Sequence, residues 1–199
     1  FDIDASLNYF SGLIHIGVRR SGLRTPEQVN TLLDEIAEKK LNIKVVGLMA
    51  YEAQTAGLQD KNPFKKFMNP IFNFVRRISK KNSARLRSQT CDVFKNRKLD
   101  IEIVNGGGSG SLNWTSLESA VTEIGLGSGL LGPHLFDYYS NIKFEPAVFF
   151  ALPVVRQSDP QYFTCYGGGF VASGEPGWDK VPLPVWPSES RLVSAEGCG

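Results

Sequence analysis

Short apolar runs alternate along this chain with longer stretches in which apolar residues recur every three or four positions. Leu13-Ile14-His15-Ile16-Gly17-Val18 is the first such run and reads as a strand. Thr25-Pro26-Glu27-Gln28 then opens a helix: Thr25 can cap it, proline suits the first helical position, and Gln28 stands at the capping-box position. Val29, Leu32, Leu33, Ile36 and Ala37 keep helical spacing up to Lys39-Lys40, whose charges suit a C-terminal turn. Ile43, Val45, Val46 and Leu48, within Leu41 to Tyr51, predict a buried strand. Phe64, Phe67, Ile71, Phe72, Val75 and Ile78 predict an amphipathic helix bent near Pro70. Leu99 to Val104 is the next strand, Thr115-Ser116-Leu117-Glu118 fits a second capping box, and a last strand follows at Thr122. This order predicts a parallel α/β architecture over 1–143, with strands inside and helices outside. From Phe144 the pattern changes. Glu145 to Val155 is strand-like, prolines, glycines and aromatics punctuate the remainder of the chain, and no helical period returns, so 144–199 reads as the opening of an all-β region.

The candidate chemistry lies between the strand at Leu99–Val104 and the helix expected after it, in Asn105-Gly106-Gly107-Gly108-Ser109-Gly110-Ser111. Glycines let the backbone turn with φ > 0 and bring several N–H groups near one guest, and a helix start adds its positive dipole end. Phosphate is the expected guest; a glycine turn without a ligand is the alternative. The run lacks the Lys-Ser/Thr pair of a P-loop and the G-x-G-x-x-G spacing of a dinucleotide fold, which demotes nucleotides.

Composition adds limits. The chain has 199 residues, 42% of them hydrophobic, and a mean hydropathy of −0.15, the profile of a soluble globular protein. No apolar run reaches the roughly 20 residues that cross a bilayer, so a membrane is not expected as a partner. Cys91, Cys165 and Cys198 are odd in number and widely spaced, which argues against a disulfide framework and for a reducing, cytoplasmic setting. His15 and His134 are too few for an imidazole metal site or a histidine triad. The net charge of +2 conceals a basic stretch, 61–98, in which twelve lysines and arginines face the single acid Asp92. Such a segment can contact nucleic acid, an acidic partner or a membrane surface; the simpler reading is a solvated helix face, and nucleic acid is not the expected partner. The lack of an initiator Met and of a terminal helix reads as a fragment.

The pieces resemble one family. Asp2-Ile3-Asp4 with His15 to Gly22, Val46-Gly47-Leu48-Met49-Ala50-Tyr51-Glu52-Ala53-Gln54, Asn105 to Ser111, and Thr122-Glu123-Ile124-Gly125-Leu126-Gly127-Ser128-Gly129 are similar to successive strand-end motifs of fold type III pyridoxal-phosphate enzymes. That group joins alanine racemase, D-threonine aldolase and D-serine dehydratase, and the Tyr51 segment looks most like the aldolase and amino-acid deaminase branch. The resemblance spans nearly the whole chain and rests on the order of four motifs. It implies the C-terminal half of a TIM-type β/α barrel followed by the beginning of an all-β domain. It also implies pyridoxal 5'-phosphate as cofactor, an amino-acid substrate, and aldol cleavage, deamination or racemisation as the reaction.

By the resemblance, the phosphate lies in the loops after the last two strands, on Asn105, Gly106, Gly107, Gly108, Ser109 and Gly110, with Gly127 and Ser128 as the second half of the cradle. Arg20 corresponds to an arginine beside the cofactor's phenolic oxygen. Tyr51 stands where the family presents a group to the pyridine nitrogen, and Gln54 stands where the aldolases tend to carry His, to touch substrate or nothing. Arg20, Tyr51 and Gln54 are the implied catalytic residues. No lysine here sits at the family's cofactor-bearing position, at the end of the first barrel strand, and the metal ligands of the aldolase branch fall in the β domain past Gly199. The chain alone is therefore expected to be inactive and to pair with a first half of the barrel or with a second copy, as a homodimer. A pyridoxal-phosphate-binding barrel without turnover, and a phosphate- or nucleic-acid-contacting protein using 61–98, are the alternatives.

Overall fold

In the computed structural model, which describes residues 1–169 and 177–194, the mixed α/β character is present and a parallel sheet forms its centre. The first helix, α1 (Pro26–Glu38), starts as the sequence dictates. Thr25 Oγ1 accepts from the Gln28 N–H, and the Gln28 side chain accepts from the Thr25 N–H in return. Its buried residues, Val29 and Leu33, are four apart on one face, each worth about 1.5–3 kcal/mol of burial. They meet Ile3, Ala5, Leu48, Ala50, Val104 and Phe94 in the main core.

The sheet holds three parallel strands, β3 (Gly47–Ala50), β4 (Ile103–Gly106) and β5 (Glu123–Ile124), in that order. Met49 faces Asn105, and Asn105 faces Glu123 in turn. The chain start lies along the other edge of β3: the Ile3 N–H donates to Met49 O and the Met49 N–H to Phe1 O, at 2.8 and 2.7 Å. Strand ends after Ala50, Gly106 and Ile124 therefore share one rim.

Several sequence expectations are corrected. The run Leu13–Val18 is not a parallel strand: Ile14–Ile16 (β2) pairs antiparallel with Leu7–Tyr9 (β1) across a tight reversal at 10–12, and Phe1–Ile3 takes the place beside β3. The pattern of apolar residues marks a strand without saying which neighbour it will find. The strand within 41–51 begins only at Gly47, and Ile43 is exposed. Pro70 does not bend the basic helix. It sits in the first turn of α2 (Asn69–Asn96), where its missing N–H has no intrahelical acceptor to lose.

The buried face of α2 also differs from the expected one. Of the anticipated stripe only Val75 is buried, and Phe64, Phe67 and Ile71 are exposed. The helix instead turns Val75, Arg76, Ser79, Ser83, Arg87, Thr90 and Phe94 inward. Small hydroxyl residues let it approach closely, and the two arginines find carboxylates there.

The second capping box does not form. The helical turn α3 (Leu112–Thr115) ends at Thr115, whose hydroxyl donates to Glu52 at 2.7 Å, and Glu118 receives Arg87. The strand expected over Glu145–Val155 starts only at Val154, in an exposed antiparallel hairpin of β6 (Val154–Asp159) and β7 (Tyr162–Cys165). Cys91 and Cys165 are free thiols, and Cys198 lies outside the described residues. No described helix is long and apolar enough to cross a membrane.

Candidate functional site

A buried charge network lies under the rim where the parallel strands end. Glu52, two residues past β3, is fully buried, and its carboxylate collects three donors: Arg87 Nη1 at 2.8 Å, the Thr115 hydroxyl at 2.7 Å and the Gly107 N–H at 3.1 Å. Arg87, also fully buried, donates to Ala50 O at 2.6 Å and makes a two-pronged pair with Glu118 at 2.7 and 2.6 Å. Burial pushes the Glu52 carboxyl up, but the Arg87 charge and the hydrogen bonds from Thr115 and Arg87 outweigh it, and its pKa lies below the ordinary carboxylate value. Burial pushes the Arg87 pKa down, but the hydrogen bonds and negative charges of Glu118 and Glu52 outweigh it and hold the pKa above the ordinary value.

This network shapes the glycine loop. A Cβ on Gly106 would stand 2.8 Å from Arg87 Nη1, so the guanidinium needs a glycine there. Gly107 takes φ +70, and a Cβ would meet the Thr115 side chain at 2.9 Å. Two of the loop's N–H groups are thereby used within the protein. Gly107 donates to Glu52 and Gly108 to the Ser111 hydroxyl at 3.0 Å, which removes both from the expected phosphate cradle. The N–H groups of Ser109, Gly110, Gly127 and Ser128 find no acceptor among the described residues.

The two loops do meet. The Ser109 hydroxyl accepts from the Gly129 N–H at 2.7 Å and from the Ser128 hydroxyl at 3.2 Å, joining the turn after β4 to the turn after β5. Gly127 has open space where a side chain would stand. Asn105 is tied sideways, its amide donating to Glu123 at 2.6 Å.

Tyr51 and Arg20 come together on the same rim. The Arg20 guanidinium lies 5.7 Å from the Tyr51 ring centre and pairs with Asp2 at 3.3 Å. A Cβ on Gly108 would touch the Tyr51 ring edge at 3.1 Å, so Tyr51 packs against the glycine loop. The Tyr51 hydroxyl has no hydrogen-bond partner among the described residues. Burial, then the Glu52 charge, raise its pKa against the opposing pull of Arg20, which keeps the phenol protonated and a donor. Gln54 is buried and its amide donates to Ala5 O at 2.8 Å, next to Gly17. Its hydrogen bond is to the protein's own backbone.

The sequence reading missed Glu52, Arg87, Thr115 and Glu118 as a unit. A signal for it existed: Arg87 is in phase with Ser79, Ser83 and Thr90, a small polar stripe on a helix, and Glu52 stands two residues past an apolar strand. Among the described residues no group of three His, Cys, Asp or Glu could hold a metal ion.

The fold is thus a mixed α/β arrangement whose parallel strands deliver loops to one rim. Among solved structures it resembles D-threonine aldolase from Filomicrobium marinum, with a TM-score of 0.60 and 19% identity over 78% of this chain and 40% of that one. The chain spans less than half the length of that enzyme, and the likeness at this identity is one of fold. No family model matches the chain, and no curated protein matches its sequence.

Proposed function

We propose that this chain is part of a pyridoxal-phosphate-dependent enzyme acting on D-amino or β-hydroxy amino acids by aldol cleavage, deamination or racemisation. In this reading 1–143 form the second half of the β/α barrel and 144–199 open an all-β domain. The observation that carries the proposal is the meeting of Arg20, Tyr51, Ser109 and Ser128 on one rim of a fold resembling D-threonine aldolase.

The donor set fits the cofactor's phosphate in a narrower form than the sequence suggested. Ser109, Gly110, Gly127 and Ser128 would hold it through N–H groups that lack an acceptor among the described residues, while Asn105 and Gly106–Gly108 shape the loop. Tyr51, protonated and with an uncommitted hydroxyl, would donate to the pyridine nitrogen, a milder contact than a charged partner would make. Arg20 would lend positive charge at the same edge, oriented by Asp2. Gln54, anchored to Ala5 O, would border the substrate. When bound, the cofactor supplies an electron sink for the charge left at the substrate carbon as a bond to it breaks. A lysine and a divalent metal would come from parts of the enzyme outside this chain, which would work with a first half of the barrel or a second copy, as a homodimer.

Equilibrium dialysis tests the cradle. Pyridoxal 5'-phosphate is expected to bind at least tenfold more tightly than pyridoxal, and Ser109→Ala with Ser128→Ala, which keeps the N–H groups but breaks the hydroxyl bonds joining the two loops, is expected to narrow the difference. Equal binding of the two compounds overturns the assignment. Aldehyde release from D-β-hydroxy amino acids by the whole enzyme tests the reaction.

A further inference from the structure

Away from the rim, a cleft of about 240 Å³ opens between the first half of α2 and the turn α3. Its walls carry three cations, Arg76, Arg77 and Lys80, against one carboxylate, Asp60. Asp60 is already engaged, accepting from Arg76 Nη1 and from the Ser140 N–H at 2.9 Å each, and Arg77 and Lys80 make no ion pair among the described residues. The walls thus present a surplus of positive charge.

Two buried donors there lack an acceptor among the described residues. Arg76 is 6% exposed, fixed between the rings of Trp114 and Tyr139 with its guanidinium 5.0 Å from each centre, and its Nε–H is unpartnered. Trp114 is 7% exposed and its indole N–H is likewise unpartnered. A buried N–H without an acceptor is unfavourable, and two such groups lining one cationic cleft call for a ligand rich in acceptor oxygens. A doubly charged anion matches the surplus of two positive charges, and guanidinium groups suit tetrahedral oxyanions.

We propose that this cleft is a binding site for a phosphate group, either free phosphate or the phosphate of a small molecule. Arg76 and Trp114 form its rigid floor, and Arg77 and Lys80 close over the anion from α2. This gives the basic stretch of α2 a task independent of the rim. The site could still report to it, since Tyr139 carries Arg76 on its ring and stands 3.2 Å from where a Gly110 Cβ would lie.

Trp114 serves as the probe once the exposed Trp178 and Trp186 are replaced, Trp178→Phe and Trp186→Phe. Titration with inorganic phosphate at constant ionic strength is expected to change Trp114 fluorescence saturably, and chloride is expected to leave it unchanged. Arg77→Ala with Lys80→Ala, both at exposed positions, should weaken binding at least tenfold and leave the circular dichroism spectrum intact. Tighter binding of glycerol phosphate than of phosphate would support the small-molecule source, and the reverse order the free anion. Absence of saturation, or unchanged affinity in the Arg77→Ala, Lys80→Ala protein, overturns the proposal. So does loss of the response in Ser109→Ala with Ser128→Ala, which would assign the signal to the rim.

Discussion

Replacing Arg87 by methionine is the sharpest test of the network beneath the glycine loop. The guanidinium is fully buried and makes four hydrogen bonds, two to Glu118, one to Glu52 and one to Ala50 O. Methionine of similar length fills the space but leaves the Glu52 carboxylate buried without a cation; Glu118, 12% exposed at its side chain, can recover some water. Removing one partner of a buried pair costs about 3–5 kcal/mol. With a urea dependence of about 2 kcal/mol/M, the unfolding midpoint should fall by about 1.5–2.5 M, measured at fixed protein concentration.

The pH dependence carries the sharper signature. In the natural protein Glu52 has a folded pKa below its ordinary 4.5, so its contribution is complete above that value and is lost as pH falls through the folded pKa. In Arg87→Met the folded pKa should rise above the ordinary value, and the deficit should shrink as pH falls from about 7 to about 5. Adding Glu52→Gln should recover about 1–3 kcal/mol by neutralising the stranded charge. A midpoint shift below about 0.5 M, equivalent to about 1 kcal/mol, together with an unchanged pH trend, would disprove this account of the network.

Three further outcomes are expected. Gly107→Val should destabilise the fold by about 2 kcal/mol or more, because φ +70 and the Thr115 contact at 2.9 Å both oppose a branched side chain, whereas Gly127→Ala, facing open space, should change the thermal midpoint little. If the proposed function holds, Tyr51→Phe should retain the cofactor, shift its absorbance, and lower turnover of the whole enzyme about 2- to 10-fold, the worth of one neutral hydrogen bond of about 0.5–1.5 kcal/mol; unchanged spectrum and kinetics would leave Tyr51 a packing residue. Light scattering on the 22.0 kDa chain should show a species larger than a monomer, since Phe149, Phe150, Val154 and Phe163 are all exposed; a well-behaved monomer would contradict this.

Local elements were legible in the residues alone. Thr25-Pro26-Glu27-Gln28 specifies its helix start through bonds that close within four residues, and Leu48 and Val104 mark strands because full burial requires unbroken apolar side chains. The glycine loop between strand and helix stood out in the same way, and so did Arg20 and Tyr51, whose guanidinium and ring centre lie 5.7 Å apart. Pairing was decided only in three dimensions. Leu13–Val18 and Phe1–Ile3 have similar apolar character, and only the reversal at 10–12 sends the first into a hairpin and leaves the second beside β3. The face of α2 was decided likewise: a fully buried arginine is stable only where carboxylates converge on it, and Glu52 and Glu118 stand 35 and 31 residues away in the chain. Thr115 and Glu118, a capping box by spacing, were drawn into that network because satisfying a buried charge outweighs satisfying one exposed helix end. The same long-range demand took the N–H of Gly107 from any ligand, a fact that residues 105–111 alone do not contain.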